Sequence, residues 1–244
     1  MAMREMQGMH RGALLGVAWL VLRPLIQVTF FVVIIAYVFR VQLGEGVGTF
    51  DYTLYVLSGL IVWQSLQRAL EEAPSLVRDR MEFLKQTVYP LETLPLTGLV
   101  INALSPAAGF AVYLVLAIVN GSFAWTILLL PIPVALLIAF VMGMSWMMMI
   151  VGVMVKDLRE IVSVILALLI YVSPVLISEK MVTPFVWDLL LLNPLAHIII
   201  CFRDVLFGAF HSISWIIFSA MTFFSLLIGA WVVHRMKLYI NEYL

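Results

Sequence analysis

The chain has 244 residues and no formal net charge; 64% of its residues are hydrophobic and only 11% are charged, with a mean hydropathy of +1.11. Soluble domains carry about 25% charged residues, so this composition excludes a water-soluble fold. The balanced charge and the lack of a basic stripe argue against a nucleic-acid-binding protein. The single cysteine, Cys201, excludes an internal disulfide.

Two long segments, residues 93–155 and 205–234, contain no Asp, Glu, Lys or Arg. A bilayer span needs roughly 20 apolar residues, so the first segment accommodates two spans and the second accommodates one. Residues 120–122, Asn-Gly-Ser, supply a turn between the first two. The apolar runs are continuous rather than alternating, which indicates helices and not an outer-membrane barrel.

The sequence therefore predicts an all-α polytopic membrane protein, with a single domain over residues 1–244 and six transmembrane helices. No small-residue cleavage site follows the first apolar run, so we expect a retained span there and not a signal peptide. The predicted spans are residues 13–39, 53–67, 94–119, 125–155, 161–177 and 213–234.

The segments between the spans are of two kinds. Residues 71–92 mix charged with apolar residues, which suits an amphipathic helix on the membrane surface, and residues 156–160 form a short charged connector. Residues 178–212 are apolar but interrupted by prolines, a charged pair and a glycine. This pattern predicts short re-entrant helices before the last span, enclosed by protein or water.

Lysine and arginine placement predicts the orientation. With the amino terminus in the cytoplasm, most basic residues outside the spans lie on the inner side, and only Arg40, Lys180 and Arg203 lie outside. Both termini are therefore predicted to be cytoplasmic.

Sequence signatures of catalysis and of ion coupling are missing. The chain has no GxxxxGK[ST] phosphate-binding loop, no HExxH and no GxSxG. The four histidines are scattered, and we expect no metal site. Ion-coupled transporters hold ionisable residues within their spans, but the third and fourth predicted spans have none. The same uncharged run argues against a membrane-embedded enzyme, such as a glycan-modifying transferase. Because the spans lack residues for ion coupling, any energy source must lie in a partner.

Some residues inside apolar segments have two competing interpretations. Arg203 and Asp204 either neutralise each other and hold the outer segment in place or form part of an outer gate. Aromatic rings on a channel face would stack on the C–H faces of sugars, although a lipid-facing or core position is the commoner explanation for any single ring. The candidate channel residues are Phe30, Phe31, Tyr37, Trp63 and Tyr171.

Four segments resemble one known family. They are RGALLGVAW at residues 11–19 followed by Pro24; KQTVYP at 85–90 followed by LPL; KDL at 156–158 followed by SPV at 173–175; and NPL at 193–195 followed by Arg203 and Gly208. With these four segments in this order and at this spacing, the chain resembles the membrane-spanning subunit of ABC-2-type exporters, in the branch that exports O-antigen, capsule and teichoic acid. Tyr89 and Lys156 stand where Phe and Arg are commoner in that family.

The resemblance implies an assembly and a set of roles. It implies a homodimer in the bacterial inner membrane with two copies of a separate ABC ATPase subunit, which carries ATP and Mg²⁺, whereas this chain has no cofactor and no catalytic residue. It implies an amino-terminal interfacial helix at about residues 3–15. Segments 74–90 and 156–160 would contact the ATPase through Arg78, Arg80, Glu82, Lys85, Tyr89, Pro90, Lys156, Asp157 and Arg159. The outer helices would shape the exit through Asn193, Pro194, Arg203 and Asp204.

The leading hypothesis from the sequence is a permease subunit that exports a lipid-linked polysaccharide between two copies of the chain. The alternative within the same layout is an ABC-2-type exporter of a drug or small lipid. Neighbouring genes for an ATP-binding-cassette protein and glycosyltransferases would favour the polymer, and drug-resistance genes would favour the alternative.

Overall fold

The computed structural model describes residues 49–82 and 90–243, together with the isolated positions 22, 26, 29, 30 and 33. Every regular element in this part of the chain is helical. The α-helices are α1 Thr49–Glu72, α2 Leu94–Asn102, α3 Leu104–Val119, α4 Pro131–Met154, α5 Leu158–Leu169, α6 Pro184–Leu191, α7 Pro194–Phe207 and α8 Ser212–Tyr243. Short 3-10 turns occupy Ala73–Ser75, Arg78–Arg80, Leu91–Thr93, Trp125–Leu129 and Glu179–Met181.

Three helical stretches within the described residues are long and apolar enough to cross a membrane: Leu91–Val119, Trp125–Met154 and Ser212–Met236. They coincide with the third, fourth and sixth predicted spans. The pair α6 and α7 makes a fourth candidate if it is counted as one broken span, although its axes differ by 104°. The predicted interfacial helix and most of the first predicted span lie outside the described residues, but Leu22, Ile26 and Phe30 are helical and exposed.

Proline accounts for two differences between the predicted and observed elements. The third predicted span is interrupted at Ala103, because Pro106 has no N–H to donate to the carbonyl of Asn102. The predicted helix 161–177 instead begins at Leu158 and ends at Leu169, and residues 170–176 form turns before and around Pro174. The residue before a proline is disfavoured in helical conformation, and the proline itself cannot bond back to the preceding turn.

Helix α1 lies at the centre of the protein. It is apolar over most of its circumference, and it packs against α3, α4, α5 and α7. Leu54, Val56, Leu60 and Trp63 are all almost fully buried on it. A helix that is apolar on all sides requires neighbours on all sides, so the second predicted span is the core helix of this chain.

Glycines allow α4 and α8 to approach closely. A Cβ atom added at Gly143 would lie 2.3 Å from the backbone carbon of Ser225, and one added at Gly229 would lie 2.4 Å from the carbonyl oxygen of Gly143. Small residues permit this backbone contact between membrane helices. A third glycine, Gly152, lies against the carbonyl of Pro74, and this contact holds the turn Ala73–Ser75 against one end of α4.

Candidate functional site

The guanidinium of Arg203, on α7, is buried at the junction of three segments. Its Nη2 atom donates to the carbonyl oxygens of Tyr55 at 3.0 Å and Val175 at 2.9 Å, and its Nη1 atom donates to the carbonyl oxygen of Pro174. The guanidinium carbon lies 3.5 Å from the centre of the Tyr55 ring, and Nε lies 3.5 Å from Ser58 Oγ. One side chain therefore joins α7 to α1 and to the turn that follows α5.

The surroundings of Arg203 compensate its charge with dipoles. Carbonyl groups of residues beyond the end of a helix have no donor within that helix, so they need partners from elsewhere. Pro174 and Val175 supply such carbonyls after α5, and the Tyr55 ring supplies a cation–π contact. Because α5 ends before Pro174, the carbonyls that follow it need a hydrogen-bond donor from another segment. An uninterrupted helix would supply those donors itself.

Asp204, the next residue, has different partners. One of its oxygens accepts from the backbone N–H of His211 at 2.7 Å and from Trp215 Nε1 at 2.9 Å, and the other contacts His211 Nδ1. The interpretation that Arg203 and Asp204 neutralise each other is wrong, because consecutive helical residues point in different directions. Asp204 attaches α7 to the start of α8.

Asn193 makes a second attachment between the α6–α7 pair and the turn after α5. Its side-chain oxygen accepts from the backbone N–H of Leu195 at 3.0 Å, which caps α7. Its amide nitrogen donates to the carbonyl of Val172 at 3.2 Å and to Ser173 Oγ at 2.8 Å. Pro194 occupies the first position of α7, where no amide donor is needed. Asn193 and Arg203 therefore both bind the turn that follows α5, whereas Asp204 binds the start of α8.

A cavity of about 510 Å³ lies beside this cluster. Its walls come from α6, α7, the segment around the turn Glu179–Met181 and the start of α8. Arg203 and Asp204 are at its wall, and the aromatic side chains of Trp187 and Phe210 line it.

A polar network that the sequence analysis did not identify lies at the carboxyl end of α1. Trp63 Nε1 donates to Gln67 at 3.1 Å, and Gln67 donates to Glu71 at 2.7 Å. Ser163 on α5 also donates to Glu71, at 3.3 Å. The spacing of four residues between Trp63, Gln67 and Glu71 was the available signal, because such residues share one helix face.

The same end of α1 is also bonded to the α2–α3 break. Asn102 Nδ2 donates to Glu72 at 2.7 Å, and Arg68 donates to Ser105 Oγ at 2.7 Å. These bonds connect the polar end of the central helix to the third predicted span.

The residues predicted to contact an ATPase lie in two places. Arg78, Arg80 and Glu82 follow the turn Ala73–Ser75, which packs against α4 and α5. Lys156, Asp157 and Arg159 are exposed at the connection between α4 and α5. Pro90 is exposed before α2, whereas Lys85 and Tyr89 lie outside the described residues.

The three candidate channel aromatics that the structure describes differ in burial. Trp63 is 1% exposed and lies in the core, whereas Tyr171 is 70% exposed and Phe30 is 64% exposed. Phe31 and Tyr37 lie outside the described residues.

Comparison with known proteins identifies the family. The family model described as ABC-2 type transporter matches residues 1–207.

A Myxococcus xanthus protein named O-antigen export system permease protein RfbA is 26% identical over 174 residues, which cover 71% of this chain and 65% of that relative, just under two thirds of its length. Two Klebsiella pneumoniae proteins of the same name are similar to this chain. One is 26% identical over 208 residues, covering 83% of this chain and 76% of the relative. The other is 24% identical over 241 residues, covering 96% and 89%. Since the family match covers most of the chain, this protein belongs to the ABC-2 type transporter family and is a membrane-embedded transport protein.

Proposed function

We propose that this chain is the permease subunit of an ATP-driven exporter that moves a lipid-linked polysaccharide across the bacterial inner membrane. The observation that carries the proposal is the membership of the ABC-2 type transporter family together with relatives named as O-antigen export permeases. The apolar helices and the absence of a phosphate-binding loop from the sequence agree with a transport subunit that depends on another chain for ATP.

The functional unit in this proposal is a homodimer with two ATPase subunits, which bind ATP and Mg²⁺. Both termini lie in the cytoplasm. The ATPases contact segments 74–90 and 156–160. Support comes from the packing of the turn Ala73–Ser75 against α4 and α5, because the connection 156–160 joins those two helices. A displacement at either segment would therefore reach the same pair of helices.

Polymer passes between two copies of the chain, beside the first and fifth predicted spans. Support comes from α5, whose apolar residues Ile161, Val164, Ile165 and Leu168 are exposed in the single chain. Tyr171 and Phe30 are exposed and remain in the proposed lining with Phe31 and Tyr37, whereas the buried position of Trp63 removes it. The outer pair α6–α7, with Asn193, Pro194, Arg203 and Asp204, shapes the exit.

Export from a deletion strain tests this proposal. Cells that lack the chain should accumulate lipid-linked polysaccharide on the cytoplasmic side and lose it from the surface, and the wild-type chain should restore surface polymer. Surface polymer is measured by labelling intact cells, and total polymer is measured after lysis. Unchanged surface polymer in the deletion strain, or restored efflux of a drug without any change in polymer, would contradict polysaccharide export.

A further inference from the structure

We propose that the cavity beside Arg203 and Asp204 is a binding site for a short neutral stretch of carbohydrate. The proposal rests on the proposed polysaccharide export and adds to it a specific site on the outer side. The cavity of about 510 Å³ has the size of small-molecule sites, which occupy roughly 300–1,000 Å³. The hydrogen bonds of Arg203 and Asp204 do not by themselves require a cavity of this size.

Aromatic faces supply the apolar part of the recognition. Trp187 on α6 and Phe210 before α8 both line the cavity. The face of an aromatic ring carries partial negative charge, and the C–H groups on one face of a sugar ring carry partial positive charge. Two rings in one cavity wall thus suit a ligand with flat C–H faces and hydroxyl edges.

The ring of Phe210 is 75% exposed but packs on an anchored neighbour. It stacks on Trp215 with ring centres 6.4 Å apart, and the indole N–H of Trp215 donates to Asp204. Asp204 is buried and is fixed by His211 as well. An aromatic face that is ordered before binding loses little conformational entropy when a ligand binds.

The charges on the cavity wall select against an ion. Glu179 and Lys180 have opposite charges at the wall, and so do Asp204 and Arg203. Arg203 is bonded to backbone carbonyls on several sides, so its guanidinium is occupied. A phosphate or an acidic sugar would meet no excess of positive charge, whereas a neutral polyhydroxyl ligand can bond to groups of either sign.

Saturation-transfer NMR on the whole transporter, this chain with its ATPase in nanodiscs, tests the site. The probes are neutral trisaccharides of glucose, galactose and mannose, with inorganic phosphate as a competitor. At least one trisaccharide should receive saturation on its C–H protons. Trp187→Ala should lower the affinity about tenfold, and Trp187→Phe, which keeps a ring, should restore most of it. The control is Trp125→Ala, because Trp125 is 80% exposed and does not line the cavity.

The outcomes separate this site from the proposed function. Loss of binding in Trp187→Ala with normal binding in Trp125→Ala supports the site. Three results overturn it: no saturation of any trisaccharide in the wild type, equal affinity in Trp187→Ala and wild type, or displacement of the sugar by inorganic phosphate. Restored surface polymer in cells combined with any of these results rejects the site alone. Unchanged surface polymer in the deletion strain rejects polysaccharide export whatever the NMR shows.

Discussion

Arg203 shows how one buried charge can organise several segments of a membrane protein. Its donors bind the carbonyls of Pro174 and Val175 after the break in α5 and the Tyr55 carbonyl on α1. A charged side chain in this setting needs full compensation. The adjacent Asp204 is compensated separately, by an imidazole, an indole and a backbone N–H. The two residues thus act as two anchors and not as one ion pair.

Replacement of Arg203 by methionine, Arg203→Met, should destabilise the protein by roughly 3 kcal/mol, because the carbonyls of Pro174 and Val175 would lose their donor. The measurement is the melting temperature of the purified chain in detergent, together with its amount in the membrane. Arg235→Met is the matched control, since Arg235 is exposed on α8 and should tolerate the change. A wild-type melting temperature for Arg203→Met would contradict the anchoring role.

Asn193 combines a helix cap with a tertiary attachment, and two substitutions separate these roles. Asn193→Ser keeps a neutral oxygen that can accept from Leu195 but loses the amide donor to Val172 and Ser173. Asn193→Ala loses both, and we expect it to cost about 1 kcal/mol more than Asn193→Ser, the typical value of a cap. Thermal unfolding of both variants measures the difference. Equal stability of the two would show that the cap contributes nothing.

At the scale of the helices, irregular ends determine the architecture. The fifth predicted span is a helix of 12 residues, shorter than the roughly 20 needed to cross a bilayer, and its end is completed by side chains from the α6–α7 pair. The central helix α1 is likewise bonded at its polar end to α5 and to the α2–α3 break. Helix α5 and the turn after it are therefore hydrogen-bonded both to α1 and to the α6–α7 pair.

The contact between α4 and α8 provides a prediction at this scale. Gly143→Val should destabilise the chain by about 2 kcal/mol or more, because any Cβ there meets the backbone of α8 and the backbones must separate. Gly98→Ala is the control, since its Cβ would meet only a side-chain atom of Leu76, at 3.8 Å. It should be neutral or slightly stabilising, as alanine favours a helix more than glycine does.

Detergent melting of these two variants tests the packing. A Gly143→Val protein that melts at the same temperature as Gly98→Ala would show that α4 and α8 do not approach as closely as the structure indicates.

At the scale of the whole molecule, the two proposed ATPase contacts and the proposed exit lie at opposite ends of the same helices. The turn Ala73–Ser75 and the connection 156–160 are at one end of α4 and α5, whereas the α6–α7 pair binds the turn that follows α5 at its other end. A push at the connection therefore has a short physical route along α5 to the outer cluster.

Asp157→Ala and Arg159→Ala should each lower export and polymer-stimulated ATP hydrolysis several-fold while leaving the amount of protein in the membrane unchanged. Both side chains are exposed, so their loss should affect contact with a partner more than folding. Arg235→Ala is the control, because Arg235 is exposed on α8, outside segments 74–90 and 156–160 and outside the proposed exit. Normal export in both test variants would remove the coupling role from residues 156–160.

The sequence by itself determined the class of protein and the approximate positions of most apolar helices. Helix positions follow from charge-free runs near the length of a bilayer, and helix breaks follow from Pro184, Asn193, Pro194 and Gly208. Both signals depend only on local chemistry, so the sequence alone predicts them. Helix α7 indeed begins at Pro194 and is followed by Gly208 in a left-handed conformation with φ of 76°.

Only the tertiary structure decided which side chains meet. The partners of Arg203 are backbone carbonyls of residues distant in the sequence, and every residue has such a carbonyl, so no residue type marks them in advance. The burial of Trp63 and the cavity beside Trp187 likewise arise from the arrangement of several helices around α1. Hydropathy measures affinity for an apolar phase, and it does not distinguish a lipid neighbour from a protein neighbour, so packing alone makes that choice.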